Sequence, residues 1–241
     1  MATPTAAALE DETPRPERRI RSFVRREGRF TEGQKRALQQ LWPRYGIDTG
    51  ETLLDPVALF GRTAPLTLEI GFGNGDSLRQ LAQANPDQDF IGIEVHRPGV
   101  GRLLQQLAAE SIENVRVMSD DAVEVLRHRI APATLQRLLL WFPDPWHKKR
   151  HHKRRIVQPP FLALVQERLA PGGLLHMATD WSSYAEQMVA VSAQIPGLCN
   201  DAAASGGYTP RPAWRPRTHF EQRGERLGHG VWDIVVRRCD R

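Results

Sequence analysis

The stretch LTLEIGFGNGDSLRQLAQA, residues 66–84, decides the fold. Its first five residues are apolar or β-branched apart from Glu69, as a buried strand requires. The run stops at Gly71, Gly73 and Gly75, where a backbone without Cβ atoms can turn sharply and come close to a ligand. Residues 76–84 then read as a helix. Strand, glycine turn and helix together form the first unit of a doubly wound α/β sheet. The pattern is GxGxG followed by Asp76 and Ser77, not the longer GxGxxG of dinucleotide sites.

The alternation continues downstream. FIGIE at residues 90–94 is a second strand that ends on an acid, followed by a helix over 97–110, a strand over 115–118 and a helix over 122–129. Residues 138–142 form a fourth strand, 159–169 a helix, Pro171-Gly172-Gly173 a turn, 174–179 a fifth strand and 182–191 a helix. VWDIVVRR at 231–238 reads as a late antiparallel strand at the far side of the sheet. Such alternation implies a mostly parallel sheet covered on both faces. Ligands of these sheets sit beyond the carboxyl ends of the strands. Glu69, Glu94, Asp121, Asp144 and Asp180 all fall at or just after strand ends, so one crevice is expected to collect them.

Residues 1–17 are rich in Ala, Thr, Pro and acids and read as disordered. Residues 18–29, RRIRSFVRREGR, form an arginine-dense arm that either orders on RNA or packs on the domain. The expected division is a tail and arm over 1–30 and a single domain over 31–241. Thr31 caps a helix through Lys35, Leu38 and Leu41, and Pro43 ends it soon after.

The 241 residues carry 33 Lys and Arg against 28 Asp and Glu, a net charge of +5. The positive charge is clustered at 15–29, 148–155 and 211–226, which is the footprint of a polyanionic partner. Cys199 and Cys239 match no metal or redox spacing, which points to a reducing compartment. No secretory signal or membrane-length apolar run is visible, so the chain reads as soluble and cytoplasmic.

The acids carry the ligand chemistry. Glu94 can accept both hydroxyls of a ribose, and Asp121 can take the amino group of an adenine. Glu69 would repel a pyrophosphate but suits a cationic amino-acid tail. S-adenosyl-L-methionine has the ribose, adenine, ammonium and sulfonium and no phosphate, so it fits better than a nicotinamide dinucleotide, and a dehydrogenase is disfavoured.

A second stretch, WFPDPWHKKRHHKRR at 141–155, holds one carboxylate between two prolines. Pro143 and Pro145 stiffen the turn that carries Asp144, and six Lys or Arg follow with His151 and His152 among them. A rigid acid beside aromatics and concentrated positive charge suits chemistry on a nucleic-acid base. A tight turn followed by a solvated basic loop is the plainer alternative. His147, His151 and His152 sit among cations that oppose a divalent ion, so no metal is expected and they read as RNA contacts or loop surface. Asp180 reads as a helix N-cap and as a wall of the base pocket. The glycine-rich chain from Arg217 to Gly230 is either an ordered loop over the active face or a loose hairpin.

Taken in order, LEIGFGNG, FIGIE, FPDPWHKKRHHKRR, ATDW and THFEQRGERLGHGVWD make the chain resemble the bacterial tRNA (guanine-N7-)-methyltransferases over most of its length. The resemblance implies a seven-stranded, Rossmann-like S-adenosylmethionine-dependent fold that acts on a guanosine in the variable loop of tRNA. It assigns cofactor contacts to Glu69, Gly71, Gly73, Glu94, Asp121 and Asp144. It assigns substrate contacts to Lys148, Asp180, Thr218, His219, Phe220 and Glu221. RNA binding falls to Arg150, His151, His152, Lys153, Arg154 and Arg155. His219 stands where the family motif Thr-x-Phe-Glu has Lys, and Trp141 where Tyr or Phe is usual.

Guanine N7 carries no hydrogen, so Asp144 is expected to orient the base and stabilise its developing positive charge rather than remove a proton. The target base is expected to stack on Trp146 or Phe220, unless those rings belong to the core. Two other readings are a methyltransferase for an exocyclic base amine and a non-catalytic RNA-binding module on the same fold. A monomer is favoured.

Overall fold

A computed structural model describes residues 22–23, 30–218, 221, 228 and 230–239. The strands are β1 (Leu66–Ile70), β2 (Asp89–Ile93), β3 (Val115–Met118), β4 (Leu135–Trp141), β5 (Leu169–Thr179), β6 (Leu198–Asn200) and β7 (Trp232–Arg238). They form one sheet in the order β3-β2-β1-β4-β5-β7-β6. β1 to β5 run parallel, and β7 lies antiparallel to both β5 and β6. The strand order reverses between β1 and β4, which opens a crevice at their carboxyl ends.

Alternate side chains of each strand enter different layers, because successive residues point to opposite faces. Leu138 and Leu140 of β4 join a core with Val125, Leu162 and Met188. These belong to helices α5 (Ala122–His128), α6 (Pro159–Arg168) and α7 (Ser182–Ser192). Leu139 and Trp141 face the other way, into a core with Ala37, Leu78 and Leu104. That layer is built by α1 (Glu32–Tyr45), α3 (Asp76–Ala84) and α4 (Arg97–Ala109), while a short α2 (Pro56–Phe60) precedes β1. Each fully buried Leu stabilises the fold by roughly 1.5–3 kcal/mol, so continuous apolar strands flanked by amphipathic helices have little other choice of arrangement. Thr31 caps α1 in a reciprocal box with Gln34, and Pro43 sits inside its last turn.

Several sequence expectations need correction. β4 starts three residues earlier than expected. Pro171-Gly172-Gly173 does not precede β5 but lies within it. Its pairing with β4 jumps from Leu135↔Leu169 to Arg137↔Leu174, and Gly172 takes φ +71° there. β7 is the expected late antiparallel strand toward the far side of the sheet, but β6, which was not expected, pairs outside it. That pairing also corrects the reading of the cysteines: Cys199 on β6 and Cys239 just after β7 are joined by a disulfide. Their separation of 40 residues gives no hint of this. The expected disordered tail and arm fall outside the described residues, apart from Ser22, Phe23 and Phe30. Among the described residues no helix is long and apolar enough to cross a membrane, and no group of three His, Cys, Asp or Glu is placed to hold a metal ion.

Candidate active site

A cavity of about 390 Å³ lies beyond the carboxyl ends of β1, β2 and β4, and its walls include Gly71, Gly73, Glu94, Asp121 and Asp144. Five of the expected positions thus meet in one space. The turn after β1 makes its floor. Gly73 takes φ +59°, and a Cβ added there would meet nothing within 4 Å because it would project into open space. An L-residue would be strained at that φ and would narrow the cavity.

Glu94 ties the floor to the wall. Its Oε2 accepts from Gly73 N at 2.9 Å and its Oε1 from His96 N at 2.8 Å. The carboxylate is nearly buried, so both bonds hold its orientation while leaving lone pairs toward the cavity. Asp121 is the N-cap of α5 and accepts from Val123 N at 3.0 Å. Asp120, which also lines the cavity, accepts from Asp121 N at 2.7 Å.

Glu69 stands one residue before the cavity-lining Ile70, behind the wall. Ser77 Oγ donates to its Oε1 at 2.8 Å, and its buried Oε2 has no hydrogen-bond partner. Burial pushes its pKa up to about 7, opposed by the Ser77 bond and reinforced by Glu94. A buried acceptor without a donor is costly, so a cationic group arriving near the glycine turn would find favourable electrostatics. The open glycine floor, the orphaned carboxylate oxygen and the two cavity acids together fit S-adenosylmethionine.

Asp144 is exposed on the opposite wall. The chain enters its turn through Phe142 at φ +51° and leaves it through Trp146 at φ +46°. Bulky residues in the left-handed region cost about 1–3 kcal/mol each and persist only where their surroundings fix them. Phe142 N donates to Ala178 O at 2.8 Å on one side. On the other, Arg155 Nε donates to Pro145 O at 2.8 Å.

That second bond alters the expected role of Arg155. Its guanidinium is buried, and it also donates to Ser183 O, Ser183 Oγ and Gln187 Oε1. Four of its five N–H groups are thereby committed inside the protein, so this buried guanidinium is not presented to a phosphate. The rest of the basic run is a 3₁₀ helix, Lys149–Arg154, that leaves Lys148, Arg150 and Lys153 exposed. Arg154 lies over the Trp146 ring at 4.6 Å, and His151 meets that ring edge-on. His152 is half-buried. Trp146 Nε1 donates to Ser22 O at 3.1 Å, so this indole is held inside the loop. Ser22 and Phe23 line the cavity, which packs this part of the arm on the domain.

Asp180 follows β5 but does not line the cavity. The N-cap of α7 is Trp181, without a side-chain capping bond, so the expected cap at Asp180 is not formed. The Trp181 ring meets His147 edge-on at 4.3 Å, which brings the end of β5 alongside the basic loop. Thr218 and Glu221 bond reciprocally: Glu221 N donates to Thr218 Oγ1 at 3.1 Å, and Thr218 N donates to Glu221 Oε2 at 3.4 Å. This is the pattern of a capping box. His219 and Phe220 lie outside the described residues. Sequence reasoning missed Asp120 and His96 as lining residues. Their one signal was position, each standing beside an acid at a strand end.

Residues 63–234 match the family model described as "Putative methyltransferase". The tRNA (guanine-N(7)-)-methyltransferase of Alcanivorax borkumensis is 57% identical over 94% of this chain and 94% of its own length. The enzyme of the same name from Pseudomonas aeruginosa is 58% identical over 96% of this chain and 94% of its own length. In fold, the 16S rRNA methyltransferase KamB superposes with a TM-score of 0.53 at 15% identity, covering 82% of this chain and 99% of that one. With relatives so similar over nearly its whole length, the chain belongs to the tRNA (guanine-N(7)-)-methyltransferase family.

Proposed function

We propose that this protein methylates N7 of a guanosine in the variable loop of tRNA, with S-adenosylmethionine as donor. The observation that carries the reading is the meeting of Gly73, Glu94, Asp121 and Asp144 around one cavity, beside an exposed basic helix. Glu94 and Asp121 would hold the ribose and adenine, and Glu69 would face the ammonium group. When bound, S-adenosylmethionine supplies a methyl group made electrophilic by its sulfonium.

The protein's own part is alignment and charge. Asp144, stiffened by two prolines and fixed at both ends, is set to hold the guanine ring and to favour the positive charge that N7 methylation places on it. No proton has to leave N7. Orientation of two reactants in a shared cavity supplies much of the remaining acceleration. Lys148 and Asp180 would contact the substrate from beside the cavity, and Arg150, His151, His152, Lys153 and Arg154 would meet the tRNA backbone. Thr218 and Glu221 shape the neighbouring turn. On this reading the protein acts as a monomer in the cytoplasm, where the Cys199–Cys239 pair is expected to be reduced.

Incubation with radiolabelled S-adenosylmethionine and unmodified tRNA, then nucleoside analysis, tests this. Label in 7-methylguanosine is the expected result. Label in an N2-methylated guanosine would favour the exocyclic-amine alternative, and no label would leave an RNA-binding module.

A further inference from the structure

A column of polar side chains is buried where Arg215 and Glu221 meet β5 and β7. Trp141 Nε1 donates to His176 Nδ1 at 3.1 Å, and His176 Nε2 is 2.7 Å from Asp233 Oδ1. Arg215 Nε lies 2.8 Å from the same oxygen. Arg215 Nη1 and Nη2 donate to the two oxygens of Glu221 at 2.7 and 2.9 Å, and Nη2 also reaches Asp233 Oδ2 at 3.2 Å. Arg215 is 1% exposed, Glu221 3% and Asp233 3%.

The bonding fixes the charges. Because Trp141 donates to Nδ1, the His176 proton sits on Nε2 and is given to Asp233, so the ring is neutral. Burial favours the same state, lowering the pKa of His176. Two carboxylates then share one guanidinium. Removing ions from water is expensive, and a well-packed apolar cluster often stabilises a fold as well or better. Stability alone therefore gives little reason for this column. A guanidinium fork that grips two carboxylates does, however, set the relative position of the elements carrying them.

Those elements frame the site. One end of the column is Trp141, which lines the cavity and stands three residues before Asp144. The other end is Glu221, whose carboxylate also closes the turn with Thr218. The Arg215 guanidinium lies 6.0 Å from the Phe142 ring, at the entrance to the Asp144 turn. The Trp214 ring is set edge-on to His176 at 5.1 Å.

We propose that Arg215 is a positioning residue for the tRNA substrate, holding Glu221, and Thr218 bonded to it, in register with the Asp144 turn. Glu221 on this view serves as a strut: its carboxylate is committed to Arg215 and Thr218. The inference deepens the methyl-transfer reading and rests on it.

The test compares wild type with Arg215→Lys in the full chain. Lysine keeps the charge but, as a point-like ammonium, cannot hold both carboxylates in one plane. The expected result is a loss in kcat/KM for tRNA on the order of 10- to 100-fold. Affinity for S-adenosylmethionine by calorimetry stays within about twofold, because Arg215 itself does not line the cavity and reaches it only through Asp233, His176 and Trp141. Retained kcat/KM in folded Arg215→Lys overturns the proposal, and so does a parallel fall in cofactor affinity. Should Arg215→Lys not fold, the double variant Arg215→Met with Glu221→Met removes the buried pair together and is held to the same readouts. Absence of methyl transfer by wild type would instead count against the functional reading. Filter binding of tRNA by the two proteins then decides the positioning claim, with weaker binding by the variant expected and equal binding overturning it.

Discussion

The amide of Gly73 donates a 2.9 Å hydrogen bond to Glu94 Oε2, joining the glycine turn after β1 to the acid that follows β2. The same carboxylate accepts from His96 N. Glu94 therefore shapes the floor of the cavity as well as presenting charge to it. Glu94→Ala leaves two amide donors without their acceptor, at about 1–3 kcal/mol for each that stays unpaired. Calorimetric affinity for S-adenosylmethionine should fall on the order of 100-fold, and Glu94→Gln, which keeps one acceptor, should fall less. Equal losses in both variants would mean that charge alone matters here.

Glu69 links the site to pH. Burial raises its pKa to about 7 in the fold, well above the ordinary glutamate value of 4.5. For an acid shifted upward, the stability it contributes is complete below the unfolded value and is lost as pH rises through the folded one. Without cofactor, wild type should lose roughly 3 kcal/mol between pH 4.5 and pH 8 relative to Glu69→Gln. Denaturant melts of both proteins across that range check it, and parallel curves would contradict it.

Much of this was legible in the sequence. β1 to β4 are apolar runs with acids at or after their carboxyl ends, and the parallel-sheet rule places such ends on one side. The parts that stayed hidden depend on distant pairs. Nothing near His176 announces that Asp233 and Arg215 will bury beside it. Arg155 looked like its neighbours in the basic run because composition cannot show which member turns inward. β6 has three residues, too few for any periodicity, and its disulfide to Cys239 appears only once β6 pairs with β7. Thr218 and Glu221 have the spacing of a capping box, a structural signal hidden beneath a functional one.

Arg155 supplies a prediction opposite in kind to that of its neighbours. Arg155→Ala removes the buried guanidinium that donates to Pro145 O, Ser183 O, Ser183 Oγ and Gln187 Oε1, and should cost about 1–3 kcal/mol of stability. Turnover should fall as well, since Pro145 loses its anchor beside Asp144. A thermal melt within a degree of wild type would show that the buried guanidinium holds nothing.

Arg150, Lys153 and Arg154 replaced together by Ala should raise the KM for tRNA at least about tenfold. The dependence of tRNA affinity on salt should become shallower by two to three released counterions, at roughly 0.9 or less in slope per phosphate contact. Cofactor affinity should not change. An unaltered salt slope in the triple variant would remove the basic helix from the RNA interface.

The most direct measurement is the single-turnover rate of methyl transfer to tRNA by Asp144→Asn, set beside its affinity for S-adenosylmethionine. The side chain keeps its size and loses its charge, so a carboxylate that stabilises the forming guanine cation should cost about 100-fold in rate when removed. Cofactor affinity should move only a few-fold. A full single-turnover rate, with the loss confined to cofactor binding, would contradict the account.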